Sequence, residues 1–365
     1  MGSRLGVIVQ TESGSEIYYD HWAAQTIGGD IALDGFDATL HRVRQMEPMG
    51  VDTPHDWKGA VWIEGTLLID LRSKTVVWAE ESEGLYLPRL INALVERTWP
   101  GWTAIWSPEG TRGTLWAAGV DPASLFTSTA YDTQTMEGAS WFGPWDEFEP
   151  ADAFSAVLED GELLRWRGEG ALDVIAELGP INMRRIAAET FERSRAGEPL
   201  LWDDQPRDER PYTGVHIDFR ERSLRWWSLM DDDMGIEAFC AQWPGWIIES
   251  MGDNFEWHER LIQRELRSWK EDVQECREFL QREIDEGERQ NPLMNMASRM
   301  AQAGEKIAIS STALKFVPSK RVAGSASALA LLDELEQAQP LPPARFINRD
   351  GRVTPPLLPN ENEPR

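Results

Sequence analysis

The sequence predicts an α+β protein with two diverged β-β-α-β repeat lobes on antiparallel sheet, then a long amphipathic helix and a disordered proline-rich tail. Three observations carry this reading. The tetrapeptide WPGW occurs twice, at residues 99–102 and 243–246. Upstream of each copy stands a matching stretch, "LLIDLRSKTVVW" ending at Trp78 and "VHIDFRERSLRW" ending at Trp226. The spacing between copies is 148 residues at Asp70 and Asp218 and 144 at Trp99 and Trp243, so the length difference falls in a segment where helix and loop length vary. Finally, residues 258–286 place apolar side chains at alternating steps of four and three on an otherwise charged stretch.

The elements follow in order. "LGVIVQTESGSEIYYDHW" reads as strand, polar turn and strand, with a helix candidate in "DGFDATLHRVRQ". In copy one, alternating apolar segments flank the turn "RSK". A helix then runs from Pro88, a favoured first-turn residue, to Thr98, with Leu90, Ile91, Leu94 and Val95 on one face. WPGW ends that helix because the residue before a proline leaves the helical region, and the glycine permits a sharp reversal into the next strand. The simplest role for its indoles is to close the end of a core. "AVLEDGELLRWRGEGALDVIAELG" reads as a hairpin and helix, a weaker echo of the same unit. Copy two repeats the pattern, with a helix from Met234 to Gln242 carrying Ile236, Phe239 and Cys240.

These elements predict an N-terminal lobe over 1–195, a charged, proline-containing linker over 196–212, and a second lobe over 213–320. The long helix 258–286 belongs to the second lobe, and 321–365 holds a short helix and the tail. Ile262, Leu266, Trp269, Val273, Cys276 and Leu280 form the apolar stripe of the long helix. Its expected place is against the domain, with a coiled-coil dimer as the alternative, so the oligomeric state stays open.

Composition narrows the function classes. The 36 basic against 62 acidic residues leave a formal charge of −26, which repels phosphate backbones and anionic lipids and favours a basic protein partner. No nucleic-acid or membrane partner is expected. The two cysteines, Cys240 and Cys276, have no C-x-x-C or clustered histidines around them, so neither a disulfide scaffold nor a cysteine zinc site is indicated. With no secretory signal and no span-length apolar run, the expected location is cytoplasmic.

The common catalytic spacings are missing: no nucleophile elbow, no phosphate loop, no H-E-x-x-H and no complete dinucleotide fingerprint. No cofactor and no metal is expected, and Asp231, Asp232 and Asp233 read as a helix N-terminal cap, not as a calcium loop. The remaining catalytic candidates are isolated. His21 lies beside Asp20 at a strand end, although neighbours on a strand point to opposite faces. Asp70 and Asp218 occupy equivalent positions, each two residues before an arginine and so on the same face as it. The stronger lead is a set of acidic-aromatic loops, with Trp141, Trp145 and Phe148 in one and Trp202, Asp203 and Asp204 in the other. Rings within a charged rim suit the grip of an Arg- or Lys-rich protein.

The opening "MGSRLGVIVQ", the "YYDHWAAQ" that ends the first hairpin and the WPGW units resemble a group of uncharacterised bacterial hypothetical proteins with an M-G-[ST]-R start. The resemblance covers about the first 120 residues and implies a bacterial source without assigning catalytic residues. Together these features point to an acidic, non-enzymatic binding protein, immunity- or inhibitor-like in a bacterial conflict system. The alternative is an enzyme with an unrecognised site, possible metal dependence included, between the two lobes.

Overall fold

Strands form where apolar residues alternate or run together, and helices where they recur every three or four positions. The structure, a computed structural model, describes residues 3–50, 63–80, 86–124, 152–168, 172–197, 210–230, 241–287, 291–302, 316–348 and 351–354. It is a mixed α/β architecture with two sheets, and the chain divides into two compact units, residues 1–129 with 269–365 and residues 130–268.

The first unit opens with the hairpin β1 (Leu5–Thr11) and β2 (Gly14–Asp20), then α1 (Ile27–Val43) and the short β3 (Glu47–Gly50). A second hairpin, β4 (Gly65–Asp70) and β5 (Thr75–Ala79), leads into α2 (Pro88–Thr98), β6 (Thr103–Trp106) and α3 (Gly110–Ala117). β1 pairs with β4 in parallel, as does β5 with β6, so the sheet is mixed and not antiparallel as the sequence suggested. The reason is the helix between the paired strands: a crossover helix returns the chain to the same end of the sheet, which makes the next strand parallel.

The second unit holds β7 (Asp152–Val157), β8 (Leu163–Gly168), α4 (Leu172–Arg195), β9 (Thr213–Asp218), β10 (Ser223–Ser228), β11 (Ile247–Ser250) and α5 (Phe255–Ile262). Its five strands run β11-β10-β9-β7-β8, and the first sheet contains β6-β5-β4-β1-β2 with the same parallel and antiparallel pairings. Most of the helix expected over 234–242 lies outside the described residues; Ala241 and Gln242 are helical.

The chain then returns to the first unit with α6 (Trp269–Glu286), α7 (Pro292–Gln302), α8 (Ser325–Glu336), β12 (Phe346–Ile347) and β13 (Val353–Thr354). Three expectations change here. The boundary drawn at 196–212 separates α4 from β9, yet β7 and β9 are neighbours in one sheet, so 152–197 belongs with the second unit. The helix expected over 258–286 is two helices, because Gln263 takes a left-handed conformation and the Glu259 carboxylate accepts the Leu266 and Arg267 amides at 2.7 and 3.1 Å. The proline-rich end is packed in part: Phe346 and Ile347 are buried, and the strand they form pairs with β6 in parallel. Residues 355–365 lie outside the described residues. Val273, Cys276 and Leu280, from the apolar stripe, are buried within the chain, where Trp269 Nε1 donates to the Leu335 carbonyl of α8 at 3.0 Å.

The two WPGW corners have the same construction. Trp99 and Trp243 are buried, and their indole nitrogens donate to the Ile31 and Ile175 carbonyls at 2.9 and 3.2 Å. Four residues beyond each acceptor the helix is broken at Gly35 (φ 71°, ψ 175°) and at Gly179 (φ 68°, ψ 171°). The carbonyls therefore sit in a last helical turn, where intrahelical partners run out. Trp102 and Trp246 stand edge-on to Trp99 and Trp243, with ring centroids 5.1 and 4.8 Å apart.

A buried ionic network fixes the returning chain to α1. Asp30 accepts from Arg42 and Arg321, each at 2.9 Å, and Arg321 also reaches Glu283 at 2.6 Å. The Lys320 and Arg321 amides donate to Asp34, and the Val317 amide to Asp20. Burial raises the Asp20 and Asp34 carboxyls above the usual range, against the lowering effect of these donors.

Two predictions follow from these features. Gly35→Ala and Gly179→Ala force a side chain into a backbone region closed to it, and each should destabilise by about 1–3 kcal/mol in urea unfolding; an unchanged midpoint would show that the corners tolerate a regular helix. Arg321→Ala removes the buried guanidinium shared by Asp30 and Glu283 and should cost about 3–5 kcal/mol, with under about 1 kcal/mol arguing that the network contributes little.

Candidate functional site

The registers of the two sheets place five residues side by side across one face of each. In the first unit the row is Ile17, Ile8, Leu68, Val77 and Ile105. All five belong to one buried apolar cluster, together with Leu115 of α3. In the second unit the corresponding row is Arg165, Ser155, His216, Arg225 and Glu249. Every apolar residue of one row has a polar counterpart in the other.

The centre of the polar row is a closed hydrogen-bond chain beneath α5. Trp227 Nε1 donates to His258 Nδ1 at 3.1 Å, and Ser155 Oγ lies 2.7 Å from His258 Nε2 and 2.9 Å from His216 Nδ1. An indole nitrogen can only donate, which sets the direction of the chain from Trp227 through His258 to Ser155. In its neutral form, His258 must then carry its proton on Nε2 and donate to Ser155, while the His216 tautomer sets which partner donates in the Ser155–His216 bond. All four residues are buried. Gly214 makes room for them: a Cβ there would stand 2.2 Å from Trp227 Nε1 and 2.7 Å from His258 Nδ1.

Burial holds both imidazoles neutral, with His216 pushed down to about 4 and His258 to about 3. A serine between two neutral imidazoles has the atoms of a nucleophile and its base. However, the hydroxyl is enclosed, with both rings in hydrogen-bond contact with it. Toward β11 the row becomes exposed: Arg225 donates to Glu249 at 2.7 Å and sits over the Trp257 ring at 5.9 Å. At the other end Arg165 donates to the Ile262 carbonyl at 2.8 Å.

The residues singled out from sequence do not meet here. His21 Nδ1 lies 2.9 Å from the Tyr19 hydroxyl, while the Asp20 carboxylate accepts the Trp22 and Val317 amides. Asp70 and Asp218 form the same-face ion pairs with Arg72 and Arg220, at 2.9 and 3.0 Å. Partial burial raises both carboxyls, but the arginine hydrogen bonds, with those of Ser73 to Asp70 and the Glu221 amide to Asp218, outweigh it and hold them below the usual range. Trp141, Trp145, Phe148, Trp202, Asp203, Asp204 and the Asp231–Asp233 run lie outside the described residues. Burial pushes the Cys276 thiol up to about 12, which leaves it unreactive. Among the described residues no group of three or more His, Cys, Asp or Glu is placed to hold a metal ion, and no helix is long and apolar enough to cross a membrane.

Sequence reasoning missed Ser155, His216, His258 and Trp227, although part of the signal was available. Aligned on the two aspartates, "LLID" and "VHID" set Leu68 against His216, and the following strands set Val77 against Arg225. Comparison with protein-family models, with curated proteins and with solved structures finds no match for this chain.

The histidines generate a pH prediction. Their folded-state values lie below the ordinary 6.5, so the unfolded chain binds protons first as pH falls. The stability they contribute is complete above about 6.5 and is lost on acidification toward about 4 for His216 and about 3 for His258. His216→Leu, which installs the first unit's residue, should reduce the loss of urea stability between pH 7 and 4. An unchanged pH slope would mean that His216 is not held neutral.

Proposed function

We propose that this chain is an internally duplicated, acidic protein-binding protein, immunity- or inhibitor-like, which acts in the bacterial cytoplasm on a basic protein partner. The observation that carries the reading is the formal charge of −26 on a chain whose Ser155–His216–His258 cluster is sealed from substrate. Such a field steers basic proteins inward and repels nucleic acids and anionic membranes. The matching strand orders, the paired WPGW corners and the two glycine breaks support duplication. The proposed contact residues remain Trp141, Trp145, Phe148, Trp202, Asp203 and Asp204, where rings and carboxylates alternate.

Affinity capture of the tagged protein from its native lysate, at low and high salt, tests this directly. One stoichiometric basic protein released by salt is the expected result, and Trp145→Ala or Trp202→Ala should weaken its retention without changing urea unfolding. Absence of any such partner at either salt would count against the reading.

An enzyme is the second reading, and one geometric observation favours it: the Ser155 hydroxyl lies within hydrogen-bond distance of two imidazoles. A fluorophosphonate probe separates the alternatives. The sealed hydroxyl should remain unlabelled in the native protein, whereas labelling abolished by Ser155→Ala would favour the enzyme.

A further inference from the structure

The two sheets match in strand order, but their outer edges differ. In the first unit β12 lies along the outer edge of β6, with Phe346 opposite Trp106, and the Trp106 amide donates to the Arg345 carbonyl at 2.9 Å. The other outward amide of β6, that of Ala104, donates to the Glu96 carboxylate at 3.1 Å, which also binds the Arg345 guanidinium at 2.5 Å. This edge is therefore closed by a parallel strand carrying an arginine followed by two apolar residues.

In the second unit β11 stands in the place of β6. It pairs with β10 in parallel, follows the second WPGW corner, and is the last strand of its sheet among the described residues. The outward amides are those of Ile248 and Ser250, and no acceptor faces either among the described residues. Ile247 is 55% exposed, and the Glu249 side chain, which ends the polar row, is 48% exposed. An open strand edge with an apolar residue beside it is a ready template for another strand. A carboxylate has capacity for a second donor beyond Arg225.

We propose that the outer edge of β11 is the docking edge for an extended segment of the basic partner. The segment runs parallel to β11, and its Arg or Lys lies beside Glu249, with an aromatic or aliphatic residue next in sequence. The register is that of β12 on β6, in which Phe346 pairs with Trp106, the counterpart of Ser250, and an arginine precedes the paired residue as Glu249 precedes Ser250. Main-chain hydrogen bonds supply affinity and the charged position supplies selectivity, as in other strand additions. This rests on the protein-binding reading and specifies where and how the partner engages.

The chain's own edge segment serves as the probe. A fluorescent peptide of residues 341–348, LPPARFIN, would be titrated against the full-length protein and followed by anisotropy. A second peptide exchanges Arg345 and Phe346, preserving composition and charge. The native order should bind about fivefold tighter, the size of an exposed ion pair, and Glu249→Lys should abolish that advantage. Equal affinity for the two peptides on the wild type overturns the edge assignment even if the variant is destabilised. So does an advantage that survives Glu249→Lys. A wild-type dimer dissociated by Glu249→Lys would make the occupant a second copy and also overturn it. Salt-dependent capture judges the protein-binding reading separately: a basic protein retained equally by wild type and Glu249→Lys upholds that reading while rejecting this edge.

Discussion

The indole N–H of each corner tryptophan, buried and donating to a carbonyl of a helix 68 positions earlier in the chain, is the constraint from which the rest follows. A buried indole left without an acceptor would cost about 1–3 kcal/mol, so the ring fixes the helix it reaches. That helix must end its turn where the ring arrives, and a glycine at positive φ ends it in both units. With helix and corner locked together, the strand after the corner can return only alongside the preceding hairpin, which accounts for the parallel pairing of β5 with β6 and of β10 with β11.

On that shared frame the two units fill one sheet face by opposite means. The first relies on aliphatic burial, which needs no directional partner and tolerates small shifts. The second uses a hydrogen-bond chain that starts from an indole donor and works only when every member is satisfied. In the first unit the five aliphatic residues share one buried cluster with Leu115 of α3 and Ile347 of β12. The polar row ends in a charged pair at β11, the strand that holds the position of β6 in the first sheet.

Much of the frame was legible in sequence because it is written in local signals. Pro88 and Thr98 bound a helix whose limits follow from a proline start and a tryptophan-proline stop, and the Asp-Arg turns follow from same-face spacing. The mixed sheet was not legible, since strand direction depends on where a crossover helix lands. The break between α5 and α6 was hidden because Ile262 and Leu266 keep helical spacing even though Gln263 is left-handed. Phe346 and Ile347 escaped notice among prolines because a two-residue strand has no period of its own; its partner strand lies some 240 residues earlier. The Ser155 cluster was half legible: the apolar-to-polar exchanges at His216 and Arg225 stand in the repeat alignment. Ser155 and His258 reach them only through sheet register and helix packing.

The route of the chain has a consequence for synthesis. Residues 130–268 form a unit inserted within another whose two parts are 1–129 and 269–365. The inserted unit is complete once its own residues have left the ribosome. The outer one must wait, with Asp20, Asp30 and Asp34 already placed on β2 and α1, until the amides of 317–321 and the Arg321 guanidinium emerge almost two hundred residues after the first part is made. The ribosome thus delivers the inner unit first, and the outer unit completes the contacts of its aspartates only after the inserted unit has been made.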